Sequence, residues 1–278
     1  MPTERIDAHH HIWKYSAEAY PWIGERMESI RRDFLAGDLL QVMQANAIDG
    51  VVTVQARQSL EETGWLLDLA RGQPMMRGVV GWVPLTDAAV GSQLERLAAN
   101  PKLKAVRHVL HDEPDDFYML RDDFNRGVTL LKQFELGYDI LIFERHLPQT
   151  LEFVDRHPNQ VFIVDHIAKP KIKDHLLTPW REQMRELARR DNVYCKLSGM
   201  VTEAEWGSWM VQDLQPFVDV AIDCFGPRRL MFGSDWPVLL VACTYERWIE
   251  VVEHTTSFFS LSERDRLFGD TAKEAYRL

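Results

Sequence analysis

The sequence predicts a single-domain α/β protein built as a (β/α)8 TIM barrel, and three observations carry that prediction. Eight short β-branched runs alternate along the chain with longer segments whose apolar residues recur three and four apart. At 278 residues the chain is a comfortable length for one such barrel, with no linker or low-complexity tract to divide it. No glycine-rich phosphate loop follows the first strand, which disfavours the open doubly wound sheet. The whole span 1–278 therefore reads as one unit, with an aromatic-rich loop after strand one at about 13–36.

The elements follow in order. The strand runs are RIDAHHH, GVVTVQA, RGVVGWVPL, LKAVRHVL, YDILIFE, QVFIVDH, NVYCKLSG and RLMFGSDW. Between the second and third, Ser59 followed by Glu62 makes a capping box that opens the helix LEETGWLLDLA. Leu120, Phe124, Val128 and Leu131 draw one helical stripe before a turn expected at Gly137. WREQMRELARRD supplies another helix, and VDVAIDCFG a further one ended by Gly226.

Composition narrows the function. The chain is 46% hydrophobic and 27% charged, and 42 acidic against 32 basic residues leave a formal charge of −10. That balance argues against a nucleic-acid groove or an anionic membrane surface and suits a neutral small molecule. Cys195, Cys224 and Cys243 have neither disulfide-framework nor zinc-ribbon spacing, and read as reduced thiols. The start MPTERIDAHH lacks the apolar core of a signal peptide, and WPVLLVAC is too short to span a bilayer. A soluble, cytoplasmic protein is the expectation; the oligomeric state is left open.

Barrel chemistry sits where strands end, in the loops that lead to helices. His9 and His11 end strand one, and period-two alternation aims both at one face while His10 points toward the helix layer. Such a pair can share a metal or a substrate oxygen. His166 ends strand six in FIVDHIAKP, and Asp235 ends strand eight in MFGSDWP. An N-cap or a buried ion pair would also explain Asp235. Four such groups meet only if the barrel closes, and that convergence is the signal. Arg107 and His108 on strand four and Lys196 on strand seven are each either substrate binders or partners in ion pairs, and Gln55 at the end of strand two is a candidate hydroxyl binder. Trp13, Tyr15, Tyr20 and Trp22 crowd the loop after strand one, with Trp82 and Trp236 after later strands. Trp22, Trp82 and Trp236 are candidate platforms for a sugar ring, or core filler. Lys169 reads as a structural loop residue.

IDAHHHIW, VDHIAKP and FGSDWP resemble the amidohydrolase superfamily in its amidohydrolase-2 branch. YPWI, RRDFLAGDL, VQARQSLEETGWLLDLA and VRHVLHDEPDDFYMLR resemble the sugar-lactonase group within it, the L-fuconolactonase and L-rhamnonolactonase-like proteins. The resemblance implies a hydrolase that opens an aldonolactone, such as L-fucono- or L-rhamnonolactone, to the aldonic acid. It implies a water activated by Asp235 and a carbonyl polarised by His9, His11 and His166. No lysine on strands four and five stands where a carbamylated metal bridge would, and Glu144 is the one obvious carboxylate there. One divalent ion is therefore expected at most, zinc first, held by His9, His11, His166 and Asp235 in part, with Glu144 a further candidate and metal-free catalysis the alternative. The absence of a G-x-S-x-G elbow argues against an acyl-serine route. Two rival readings stand beside the lactonase: a metal-dependent decarboxylase of the same branch, and a non-catalytic sugar-binding barrel.

Overall fold

Eight parallel strands in chain order close the predicted barrel. The computed structural model describes residues 3–278. The strands are β1 (Ile6–His10), β2 (Gly50–Val54), β3 (Met76–Gly81), β4 (Leu103–Val109), β5 (Gly137–Leu141), β6 (Phe162–Val164), β7 (Val193–Leu197) and β8 (Leu230–Phe232). The ring closes through His10 bridged to Trp236: Asp235 N donates to His9 O at 2.7 Å and His11 N to Trp236 O at 2.6 Å.

Helices alternate with the strands: α1 (Ala36–Ala45), α2 (Leu60–Gly72), α3 (Val90–Ala98), α4 (Asp122–Leu131), α5 (Leu147–Arg156), α6 (Trp180–Leu187), α7 (Val211–Arg229) and α8 (Tyr245–Thr255). Two short ones follow, α9 (Leu261–Asp265) and α10 (Thr271–Tyr276). The larger core lies between strands and helices. A smaller one inside the barrel gathers Ile6, Ala8, Val52, Val54, Ala105, Ile163 and Met231 over Ala272 and Tyr276 of α10. Among the described residues no helix is long and apolar enough to cross a membrane.

Three local expectations need correction. The turn before β5 lies at Glu135, whose φ of 57° is left-handed, and Gly137 opens the strand instead. Ser59 Oγ caps α2 by accepting from Glu62 N at 3.2 Å, but the Glu62 carboxylate does not complete the box. It accepts from Ala56 N and Arg57 N, both at 2.9 Å, and from Tyr20 OH at 3.1 Å, bracing the loop after β2. Strand one, finally, does not alternate along its whole length. Asp7 pairs with Val51 but His10 pairs with Thr53, so β1 carries one extra residue. Ile6 and Ala8 join the barrel interior, and after the bulge His9 faces inward too. Simple alternation from Ile6 would have sent His9 and His11 to the helices.

Candidate active site

The bulge sets up the histidines. His9 Nε2 lies 3.2 Å from His11 Nε2. His10 turns the other way and pairs its Nε2 with Thr53 Oγ1 at 2.8 Å. Beyond β6 the chain runs left-handed through His166, Ile167, Ala168 and Lys169, with φ between 46° and 60°. That run swings the His166 ring back over the barrel, its Nδ1 2.9 Å from Ser198 Oγ. A Cβ on Gly199 would lie 2.4 Å from His166 Nδ1, so only glycine leaves room for the ring. Asp235 is also left-handed, at φ 61°, three residues past the end of β8. Its turn is held by Asp7, which accepts from Ser234 N at 2.9 Å, Ser234 Oγ at 2.6 Å and Tyr245 OH at 2.9 Å.

These turns aim three imidazoles at one carboxylate oxygen. Asp235 Oδ1 lies 3.3 Å from His11 Nε2, 3.7 Å from His9 Nε2 and 3.9 Å from His166 Nε2. Burial drives the His9 pKa well down, and brings His166 to about 4 against the pull of Asp235 and Asp165. Burial opposes the Asp235 charge, but His166 and the hydrogen bond to His11 outweigh it and hold that pKa below its ordinary value. The imidazoles of His9 and His166, held neutral beside an ionised carboxylate, are donors that a divalent ion takes. His9, His11 and Asp235 present ligand atoms within 4.8 Å of one another, so these residues fit one ion.

Beneath the cluster lies a charged layer of which sequence reasoning named only part. Asp165 is fully buried against Arg107 Nη1 at 3.0 Å and Lys196 Nζ at 2.9 Å, and Lys196 also meets Asp139 Oδ2 at 2.5 Å. Burial would raise the Asp165 pKa, yet Lys196, His9 and Arg107 together hold it well below the carboxylate range. Gln55 is buried too, its Oε1 accepting from Arg107 Nη2 at 3.0 Å. Gln55 and Lys196 therefore support the site from below.

Above the cluster opens a cavity of about 710 Å³, and His11, Arg107, His166, Asp235 and Trp22 are all on its wall. Trp22 donates its indole N–H to Ala56 O at 2.9 Å, which fixes the ring there. Four further expectations fall outside this wall. His108 pairs Nδ1 with Trp82 Nε1 at 3.3 Å and Nε2 with Glu113 at 2.6 Å, so His108 and Trp82 spend their polar atoms on each other and on Glu113. The physical reason is alternation: with Arg107 facing inward, His108 must face the helices. Trp236 packs edge-on to Phe34, ring centroids 5.2 Å apart, and anchors the 13–36 loop. Glu144 pairs with Lys171 at 3.1 Å and belongs to neither His/Asp group among the described residues. Sequence reasoning missed Arg57, His111 and Trp206, and set Lys169 aside, yet all four line the cavity. The His-x-x in VLHD and the K before Pro170 were the available signals, and the left-handed run that delivers Lys169 has no signature in residue type.

The family model described as Amidohydrolase matches residues 6–278. The chain belongs to the amidohydrolase family. This amidohydrolase is 42% identical to an L-fucono-1,5-lactonase of Burkholderia multivorans, over 100% of this chain and 97% of the relative. It is 34% identical to an L-fucono-1,5-lactonase of Burkholderia ambifaria, over 99% and 96%. A crystal structure of a Burkholderia multivorans amidohydrolase with bound zinc superposes with a TM-score of 0.95 at 42% identity, covering 99% of both chains.

Proposed function

We propose that this amidohydrolase opens a sugar lactone, an aldonolactone of the L-fucono- or L-rhamnono- type, to the free aldonic acid. The observation that carries the reading is the meeting of His9, His11 and His166 on one oxygen of Asp235 at the floor of the cavity. Full-length similarity to L-fucono-1,5-lactonases supports the choice of substrate class.

A lactone is a cyclic ester, so its opening needs an activated water, a stabilised oxyanion and a proton for the departing ring oxygen. Asp235, ionised and facing the cavity, takes the proton of the attacking water and returns it to the ring oxygen as the C–O bond breaks. His9, His11 and His166 face the place where the carbonyl oxygen gains charge. A divalent ion, zinc first, held by His9, His11 and Asp235 with His166 beside it, would supply Lewis-acid stabilisation of that oxygen. Arg107 and Trp22 on the cavity wall contact the sugar, Trp22 through its ring face. The negative formal charge and the absence, among the described residues, of a membrane-crossing helix support a cytoplasmic enzyme acting on a small molecule rather than on nucleic acid or a membrane.

A pH indicator tests this directly. With L-fucono-1,5-lactone and a panel of other aldonolactones, the enzyme should release one proton per turnover, and Asp235→Asn should not. Carbon dioxide released from a panel of aromatic acids, with no lactone opened faster than in buffer, would replace the reading with a decarboxylase. Binding of sugar with neither reaction would replace it with a binding barrel.

A further inference from the structure

His111 lies in a short turn, Leu110–Asp112, just past β4, and forms part of the cavity wall. Its ring stacks on Phe143, two residues past β5, with centroids 4.6 Å apart and planes 28° from parallel. That contact fixes the imidazole in one orientation. Among the described residues Nδ1 is sealed from solvent and has no hydrogen-bond partner, which leaves Nε2 as the accessible polar atom. Nε2 has Asp112 Oδ1 at 3.4 Å, beyond the usual reach of an N–H···O bond.

Other polar side chains on the wall are already committed. Trp22 donates to Ala56 O, Thr202 Oγ1 to Gly199 O at 2.7 Å and Trp206 Nε1 to Thr202 O at 2.9 Å, while Lys169 pairs with Glu203 at 2.7 Å. His111 is also uncharged, because burial first, then Lys169 and Arg107, brings its pKa from 6.5 to about 2. A neutral imidazole with an open Nε2 suits a hydroxyl, which both donates and accepts and so matches either tautomer.

The order of the strands says which hydroxyl. In a closed ring of eight strands in chain order, β4 lies opposite β8, and β1 is next to β8. Asp235 follows β8, and His9 and His11 come from β1, so the reacting carbonyl belongs on that side. His111 arrives from the other. A six-membered lactone lying across the mouth with C1 at Asp235 turns C3 and C4 toward β4, while its C2 hydroxyl stays beside the carbonyl.

We infer that His111 is a specificity-determining residue whose ring hydrogen-bonds the hydroxyl at C3 or C4 of the sugar lactone. The inference rests on the lactonase reading and deepens it. The hydroxyl is the partner that Nε2 lacks. Taking the hydroxyl from the substrate, or the ring nitrogen from the enzyme, breaks the same contact, so the two losses are not additive.

The test measures kcat/KM for L-fucono-1,5-lactone and for its counterparts lacking the C2, C3 or C4 hydroxyl, with a pH indicator. Wild type is compared with His111→Phe and His111→Gln. Phenylalanine keeps the stack on Phe143 and removes both nitrogens, whereas glutamine can return an amide to the place of Nε2. Wild type should favour the parent lactone at least about tenfold over the C3- or the C4-deoxy compound. In His111→Phe that preference should fall below about threefold, and His111→Gln should recover part of it, while the preference at C2 is the same in all three proteins. A wild type indifferent to the C3 and C4 hydroxyls overturns the inference. So does a preference at both positions that survives in His111→Phe, or one that changes only at C2. If His111→Phe does not fold by circular dichroism, His111→Leu takes its place with the same expected loss. A wild type that opens no lactone ends the lactonase reading and this inference with it, whereas lactones opened with preferences indifferent to His111 end this inference alone.

Discussion

His10, the middle histidine of the triplet, gives the sharpest stability test. It is fully buried, pairs Nε2 with Thr53 Oγ1 and leaves Nδ1 without a partner. Burial first, then the neighbouring His11, brings its pKa from an ordinary 6.5 to about 3. The folded pKa is the lower one, so below pH 6.5 the unfolded chain takes a proton that the folded chain refuses. Its contribution is complete above pH 6.5 and is lost as pH falls toward about 3. Each pH unit in that window costs about 1.4 kcal/mol, so at pH 5, some 1.5 units below 6.5, the loss is about 2 kcal/mol. His10→Gln keeps a hydrogen bond to Thr53 and does not titrate. With an unfolding entropy of about 2.1 cal/mol/K per residue, 278 residues give about 0.6 kcal/mol per degree, so 2 kcal/mol moves Tm by about 3 °C. Calorimetric melts of both proteins in chelator at pH 8 and pH 5 measure it. Wild type should lose about 3 °C more than His10→Gln over that range, while lactone turnover of the variant at pH 8 stays within a few-fold. Melting curves that shift in parallel, within about 1 °C, would refute the reasoning.

Asp235→Asn should lower kcat by roughly 10²–10⁴-fold with little change in Tm, and activity within tenfold of wild type would remove it as the base. Elemental analysis should find no more than one tightly held divalent ion per chain: both His/Asp groups share His9, whose Nδ1 faces Lys196 and Asp165. Two ions, both needed for turnover, would contradict that. Gly199→Ala forces a Cβ against the His166 ring at a backbone φ of 61°, and kcat should fall more than tenfold; unchanged kinetics would show that the ring has room to move. Glu144→Gln, by contrast, breaks only a pair with Lys171 and should leave kcat/KM within about threefold, and a hundredfold loss would return Glu144 to the site.

The barrel was legible because eight β-branched runs between helical patterns leave few other solutions. Even so, β6 and β8 are three residues each, and His166 and Asp235 stand beyond them in left-handed backbone that residue type does not announce. His9 and His11 were legible as a pair, but the bulge that turns them inward is a matter of register against β2 and has no trace in the letters. Naming both Arg107 and His108 overlooked that adjacent strand residues cannot share a face. Asp165, one residue before His166, was passed over because its worth depends on Lys196 and Arg107 arriving from β7 and β4. Pairings of that separation are settled by closure of the sheet, and a reading of local patterns has no access to them.

Closure between β1 and β8 also orders the site in time during synthesis. A ribosome that has made residues 1–230 has already exposed both strand-one histidines and His166, yet the carboxylate they share and the serine turn that seats it have not been added. Until the last strand arrives, those imidazoles have no common acceptor and the first strand has an open edge. Competence comes with one late joining of the two ends of the sheet, so a translation product truncated before β8 carries most of the mass of the enzyme and lacks the carboxylate on which its floor is assembled.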